Sequence, residues 1–285
     1  MFWVKVNATS ANLCVGFDVL GVALDIPNSF SFEKSNNFEF EGFEKEYLTT
    51  TNNMVYDSYC EVFKYLNKEP IPVKIGFKGS IPVSRGLGSS SSLIVGGVFG
   101  ANHILGDVLS MDECFQICAR LEGHPDNVAP AIYGNLVASY KMDDKYYPNV
   151  YEVSDKLKFI TVIPNYKLST KKARGVLPKE LSYSDIVNNL SRIVNIPKAF
   201  KDGDLKLIRH LFNDKLHEPY RSTLIKEYSD VKEICDKENV ACCISGSGST
   251  MLIIAYNYDI VLKLKALNLL IKTPSLGSGV SIVEE

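Results

Sequence analysis

The segment Pro82-Val83-Ser84-Arg85-Gly86-Leu87-Gly88-Ser89-Ser90-Ser91-Ser92 joins a strand-like stretch to a strongly apolar helical one, and this junction constrains the fold more than any other part of the chain. Gly86 and Gly88 allow backbone conformations closed to residues with a Cβ and let the chain approach a ligand closely. The helix that follows offers unpaired N–H groups and the positive end of its dipole, which together favour an anion such as phosphate. The serines add hydroxyls for phosphate or for a cation. A Walker loop would need a lysine before its hydroxyl residue, and none stands here. On its own, a glycine-serine stretch of this length is equally readable as a turn that caps a helix.

Around the junction, period-two patterns predict strands at residues 2–6, 29–41 and 71–78, with a loop-rich region between them. Helical spacing over 53–66, capped by the preceding Asn and Thr cluster, completes a strand-helix-strand passage. Residues 89–105 read as a buried helix, and 112–121 as a second helix with Ser110 as its N-cap. Strands at 135–141 and 158–163 are separated by the polar, Tyr-rich stretch MDDKYYPNVYEVSDK, which suits a turn or domain connection and places a domain boundary near residue 155. Helices at 184–201, 204–213, 228–238 and 259–270, and strands at 250–255 and 279–283, fill the remainder. The uneven mixture argues for an α+β class, and no fixed-period repeat suggests a solenoid.

The 285 residues suffice for two domains. Thirty-one basic against thirty-three acidic residues, without a basic block, argue against a nucleic-acid partner. The apolar runs at 93–99 and 251–255 fall far short of the ~18–20 residues a membrane span needs, and the opening residues lack the pattern of a secretory signal. Seven cysteines without a CxxC pair or a Cys/His cluster fit buried, reduced thiols, so the expected location is the cytoplasm.

Three further segments give the junction its meaning. Residues 7–18 read Asn-Ala-Thr-Ser-Ala-Asn-Leu-Cys-Val-Gly-Phe-Asp; residues 122–130 read Glu-Gly-His-Pro-Asp-Asn-Val-Ala-Pro; and Gly246-Ser247-Gly248-Ser249 precedes an apolar strand. With PVSRGLGSSSS they resemble, in order and over nearly the whole chain, the motifs of the GHMP kinases, and most closely the homoserine kinase branch. One departure stands out: that branch usually reads ATSANLGPGFD, and here Cys14-Val15 replaces Gly-Pro.

The resemblance implies a two-domain α+β fold, with a ribosomal-protein-S5-like α/β domain over residues 1–155 and a ferredoxin-like α+β domain over 156–285. It implies that Pro82, Arg85, Gly86, Leu87, Gly88, Ser89, Ser90, Ser91 and Ser92, with Asp126 and Asn127, bind ATP. Glu122 ends a predicted helix, where the dipole disfavours its charge unless a cation balances it. Mg²⁺ takes few protein oxygens, so Glu122 with Ser90 would suffice.

By the same resemblance the acceptor is L-homoserine. Asp18 would take its ammonium, and Arg174 and Arg221 its carboxylate, with Thr170, His124 and Gly246 around it. Asn12 would lie beside the hydroxyl, in a place where sister branches carry lysine, so no obvious base is present. Asn12 and Glu122 are the candidate catalytic residues. Another GHMP acceptor such as mevalonate or a sugar, and a non-catalytic regulatory member of the fold, are the competing readings. Family members commonly dimerise, which leaves a homodimer open.

Overall fold

The computed structural model describes residues 1–284. It opens with β1 (Phe2–Ala11) and β2 (Leu20–Lys34), paired antiparallel. The strand expected to begin at residue 29 starts at Leu20 instead, because the register shift between Asn7 and Ala8 falls opposite Pro27. A shift of this kind absorbs the N–H that proline lacks. The expected 29–41 strand is therefore two: β2 and the short β3 (Glu39–Glu41), which pairs parallel with residues 74–76.

Next comes α1 (Met54–Tyr65), whose cap Asn53 accepts from the N–H groups of Val55 and Tyr56. It is followed by β4 (Val73–Lys78), α2 (Ser89–Ile104), α3 (Met111–Glu122) and α4 (Val128–Tyr133). Ser110 caps α3 in a reciprocal box with Glu113. The Tyr-rich stretch read as a connection is largely strand: β5 (Leu136–Met142) and β6 (Lys145–Tyr151) form a hairpin turning at Asp143 and Asp144, both in the left-handed region. These strands form the first sheet in the order β1-β2-β4-β3, with β5 also paired to β2 and β6 to β5.

The chain then enters a second sheet with β7 (Lys158–Ile163). A helical run follows: α5 (Thr170–Gly175), α6 (Tyr183–Ile193), α7 (Ile196–Asp202), α8 (Leu205–Leu211), α9 (Glu218–Arg221) and α10 (Tyr228–Lys237). The helix expected over 184–201 is broken before Pro197, whose ring forces a new first turn. β8 (Ala241–Ile244), β9 (Met251–Ala255), α11 (Ile260–Leu264) and β10 (Leu270–Lys272) complete an antiparallel sheet of order β10-β7-β9-β8. The last strand, β11 (Ser281–Glu284), returns to pair with β1, so the end of the stretch expected in a second domain lies on the first sheet.

Helix α2 is the centre of the first core. Gly96 and Gly100 face the rings of Phe30 and Phe32, and a methyl group on Gly97 would lie 2.3 Å from the Val55 carbonyl oxygen of α1. Small residues here let the helix sink onto the sheet and onto α1. Fully buried Phe30, Phe32, Phe63 and Phe115 surround it, each contributing about 1.5–3 kcal/mol on burial. A second core joins the other ends of β1 and β2 to Phe159, Phe200 and Leu252 of the second sheet layer. The first two strands thus serve both layers, and the segment linking them sits where the layers meet. Among the described residues no helix is long and apolar enough to cross a membrane. All seven cysteines are unpaired, six of them buried and Cys60 partly so.

Candidate active site

The glycine-serine junction is the N-terminus of α2. Gly88 takes φ +67° and caps the helix without any side-chain bond to its first N–H groups. Those donors, with the positive end of the dipole, are left for an anion. The loop has no room for larger residues, since a Cβ on Gly88 would lie 2.0 Å from Thr9 Oγ1, and one on Gly86 would lie 2.2 Å from the Ser245 carbonyl oxygen. It is held from the second layer: Ser245 Oγ donates to the Gly86 carbonyl (2.6 Å) and Thr250 N to the Arg85 carbonyl (3.0 Å).

Glu122, the last residue of α3, reaches the same point. Its two carboxylate oxygens accept from Ser90 Oγ (2.9 Å) and Ser91 Oγ (3.0 Å). A carboxylate and two hydroxyls therefore converge beside the helix N-terminus. Of the serines, Ser92 is turned inward, donating to the Ser89 carbonyl (2.7 Å) and accepting from Asn28 Nδ2 (2.9 Å), and Leu87 is a buried core residue.

A cavity of about 490 Å³ opens at this point. Part of its lining is apolar, from Phe43, Tyr47, Met54, Phe77, Val83 and Leu93, with polar Glu44, Thr51, Asn53 and Asp57 contributed by the same stretches; the sequence did not reveal it, because these residues come from separated segments. A further, polar part of the lining comes from Asn12, Asp18, His124, Asp126, Thr170, Arg174, Arg221 and Gly246. Arg85, Gly86, Gly88, Ser89, Ser90, Glu122 and Asn127 line it as well. Every expected site residue borders this cavity except Pro82, Leu87, Ser91 and Ser92.

The polar part is built on the link from β1 to β2. Asn12, Leu13 and Cys14 have φ of +72°, +40° and +64°, and Asp18 has +57°, a run of left-handed conformations rare for residues with a Cβ. Asn12 ties the link together, donating from Nδ2 to the Gly246 carbonyl (2.8 Å) and accepting from Asp18 N (3.0 Å). Expected beside a substrate hydroxyl, its amide is engaged at both ends. Asp18 is gripped by Arg174 through two bonds of 2.9 and 3.0 Å.

Arg221 is only 2% exposed, donates to the carbonyls of Gly246 (3.0 Å) and Ala173 (3.3 Å), and makes no ion pair with a carboxylate among the described residues. Burial and the nearby Arg174 both work against its charge. A buried cation lining a cavity without an anion of its own is suited to an anionic ligand. Its guanidinium and that of Arg174 lie 5.0 and 5.6 Å from the Phe17 ring. His124 donates from Nδ1 to Asp126 Oδ1 (2.6 Å), since a carboxylate can only accept. That bond outweighs burial and raises the affinity of the imidazole for a second proton.

A bare helix N-terminus flanked by a carboxylate and hydroxyls, sharing one cavity with apolar side chains and with a buried arginine unpaired among the described residues, is the arrangement of a small-molecule kinase. Comparison with known proteins agrees. Residues 53–135 match the GHMP kinases N terminal domain and residues 197–267 the GHMP kinases C terminal domain. The chain belongs to the GHMP kinase family. Its curated relatives include the homoserine kinase of Clostridium botulinum (strain Eklund 17B), 41% identical over 90% of this chain and 87% of the relative. The homoserine kinase of Clostridium beijerinckii is 40% identical over 91% of this chain and 88% of the relative. A homoserine kinase structure from Cytophaga hutchinsonii superposes with a TM-score of 0.89 at 25% identity, covering 99% of this chain and 97% of the other.

Proposed function

We propose that the protein transfers the γ-phosphoryl group of ATP to the hydroxyl of L-homoserine, forming O-phospho-L-homoserine in threonine biosynthesis. The observation that carries this reading is Arg221, a buried cation with no carboxylate partner among the described residues, facing the same cavity as the uncapped N-terminus of α2. One site takes an acceptor carboxylate, the other the phosphates of the donor.

In this reading residues 1–155 supply the nucleotide loop, and residues 156–285 bring the arginines and the second glycine loop over it. The amides of Gly88 to Ser90 hold phosphate oxygens, and the apolar lining near Tyr47 and Phe77 holds the nucleobase. Arg221 and Arg174 take the acceptor carboxylate, Asp18 its ammonium, and Thr170, His124 and Gly246 enclose it. Glu122 and Ser90, already side by side, fit a magnesium ion, which needs only one or two protein oxygens when it also binds phosphate. When bound there, such an ion would supply positive charge against the phosphates during the transfer.

Phosphoryl transfer depends mainly on holding the acceptor oxygen in line and on electrostatic stabilisation, so the hydroxyl proton needs no dedicated base. The seven unpaired thiols fit a cytoplasmic setting. The test is ADP release by the purified protein with Mg-ATP and L-homoserine, beside mevalonate, galactose and a no-acceptor control. Homoserine-dependent release is expected; turnover on another alcohol alone, or nucleotide binding without turnover, would overturn the reading.

A further inference from the structure

The link between β1 and β2 carries Asn12 and Asp18 into the cavity, yet its backbone is unfavourable by itself. Three successive residues with side chains, Asn12, Leu13 and Cys14, hold positive φ. Glycine takes such angles freely, and the motif this chain resembles has glycine where Cys14 stands. A conformation of this kind persists only where its surroundings over-determine it.

Those surroundings come from the segment before Arg221. His217, fully buried, donates from Nε2 to the Cys14 carbonyl at 2.6 Å. Its ring stacks on Phe17 with centroids 5.3 Å apart, from which Arg221 lies 5.0 Å. Asn189 of α6 donates to the next carbonyl, Val15, at 3.3 Å. Asp214 organises both: it accepts from Asn189 Nδ2 (2.6 Å), His217 N (2.7 Å) and Glu218 N (2.6 Å).

We propose that His217 is a positioning residue for the amino-acid acceptor, fixing the Asn12–Asp18 link through its Nε2–H bond to the Cys14 carbonyl and its stack on Phe17. A carbonyl only accepts, so the Nε2 proton is obligatory. Nδ1 is buried and finds no partner among the described residues, an arrangement a neutral ring tolerates better than a charged one. Burial, which outweighs the opposing influence of Asp214, lowers the ring's affinity for a second proton. His217 touches no cavity surface; it acts through Cys14, Phe17 and Arg221.

The inference rests on homoserine being the acceptor. Its test is steady-state kinetics of wild type, His217→Leu and His217→Gln, with nucleotide affinity measured separately by calorimetry. Leucine keeps the volume and loses the donor, whereas glutamine retains a donor that can reach the Cys14 carbonyl. The expected result is a homoserine KM raised about tenfold or more in His217→Leu, nucleotide Kd within about twofold of wild type by the same scale, and substantial recovery in His217→Gln. A purely structural role would instead lower the active fraction for both substrates alike, and that result, or an unchanged homoserine KM, overturns the proposal. If His217→Leu does not fold, ring ¹⁵N shifts of the wild-type protein decide: an Nε2–H neutral imidazole is expected, and an Nδ1–H tautomer or an imidazolium overturns it. Failure of the homoserine reading would appear separately, as wild-type protein without homoserine turnover.

Discussion

Arg174 grips Asp18 with both arms of its guanidinium, Nη1 to Oδ2 at 3.0 Å and Nη2 to Oδ1 at 2.9 Å. The two residues expected to hold opposite ends of an amino acid thus neutralise each other before one arrives. Both are more than a third exposed, so the pair costs little to rearrange. A zwitterion can enter beside it with its ammonium on Asp18 and its carboxylate on Arg174 and Arg221.

Asp18→Asn keeps the shape and removes the charge. We expect its homoserine KM to rise about tenfold to a hundredfold, the effect of one charge-assisted hydrogen bond of ~1.5–3 kcal/mol. The check is the same comparison with 4-hydroxybutanoate, which lacks the amine. If the substitution weakens both acceptors equally, Asp18 does not bind the ammonium.

Glu122→Gln preserves an acceptor for Ser90 or Ser91 but removes the negative charge at the helix N-terminus. Losing one preorganised electrostatic contact to a reacting centre costs about 10²–10³ in kcat, and that is the expected loss. Titrating activity against Mg²⁺ should show saturation displaced to higher concentration. A variant equal to wild type in both would remove Glu122 from the metal.

Gly88 and Gly106 separate two consequences of a side chain at positive φ. Gly106 has φ +84° and open space around it, while Gly88 has φ +67° and Thr9 Oγ1 only 2.0 Å from where a Cβ would stand. Gly106→Ala should therefore cost only its backbone strain, ~1 kcal/mol, and leave nucleotide affinity unchanged. Gly88→Ala must also displace the loop, and nucleotide Kd should rise at least about tenfold. Calorimetric titration with ATP distinguishes them, and equal affinities would mean the loop does not bind phosphate.

Much of this site was legible because the chemistry demands unusual residues in short runs: glycines before four serines, and a carboxylate at the end of a helix. Ser110 announced its helix by a mechanism that acts within a few residues, whereas Pro197 carried a break of the same local kind that the helical spacing over 184–201 masked. The remainder depended on contacts distant in sequence. The apolar lining draws Phe43, Met54, Phe77 and Leu93 from different segments, none of which carries a motif. His217 stands beside Arg221 in sequence, yet its role rests on the Cys14 carbonyl more than two hundred residues earlier. β11 reads as an ordinary last strand, and only tertiary pairing returns it to β1.

Glu218, next to His217, gives the fold a stability that depends on pH. It is buried, accepts from Ile244 N (2.5 Å) and Cys14 Sγ (3.4 Å), and desolvation raises its pKa from 4.5 to about 7 despite the Ile244 bond. The folded carboxyl therefore keeps its proton up to about pH 7, whereas the unfolded one releases it near 4.5. The unfolded state binds fewer protons between these values, so stability from this group is full below the lower one and declines as pH rises toward the upper one. The span corresponds to a loss on the order of 3 kcal/mol. Glu218→Gln cannot ionise, and its unfolding free energy by urea titration should gain on wild type from pH 5 to pH 7, then run parallel above. Curves parallel throughout would mean that Glu218 is ionised in the native core and that its charge is balanced there.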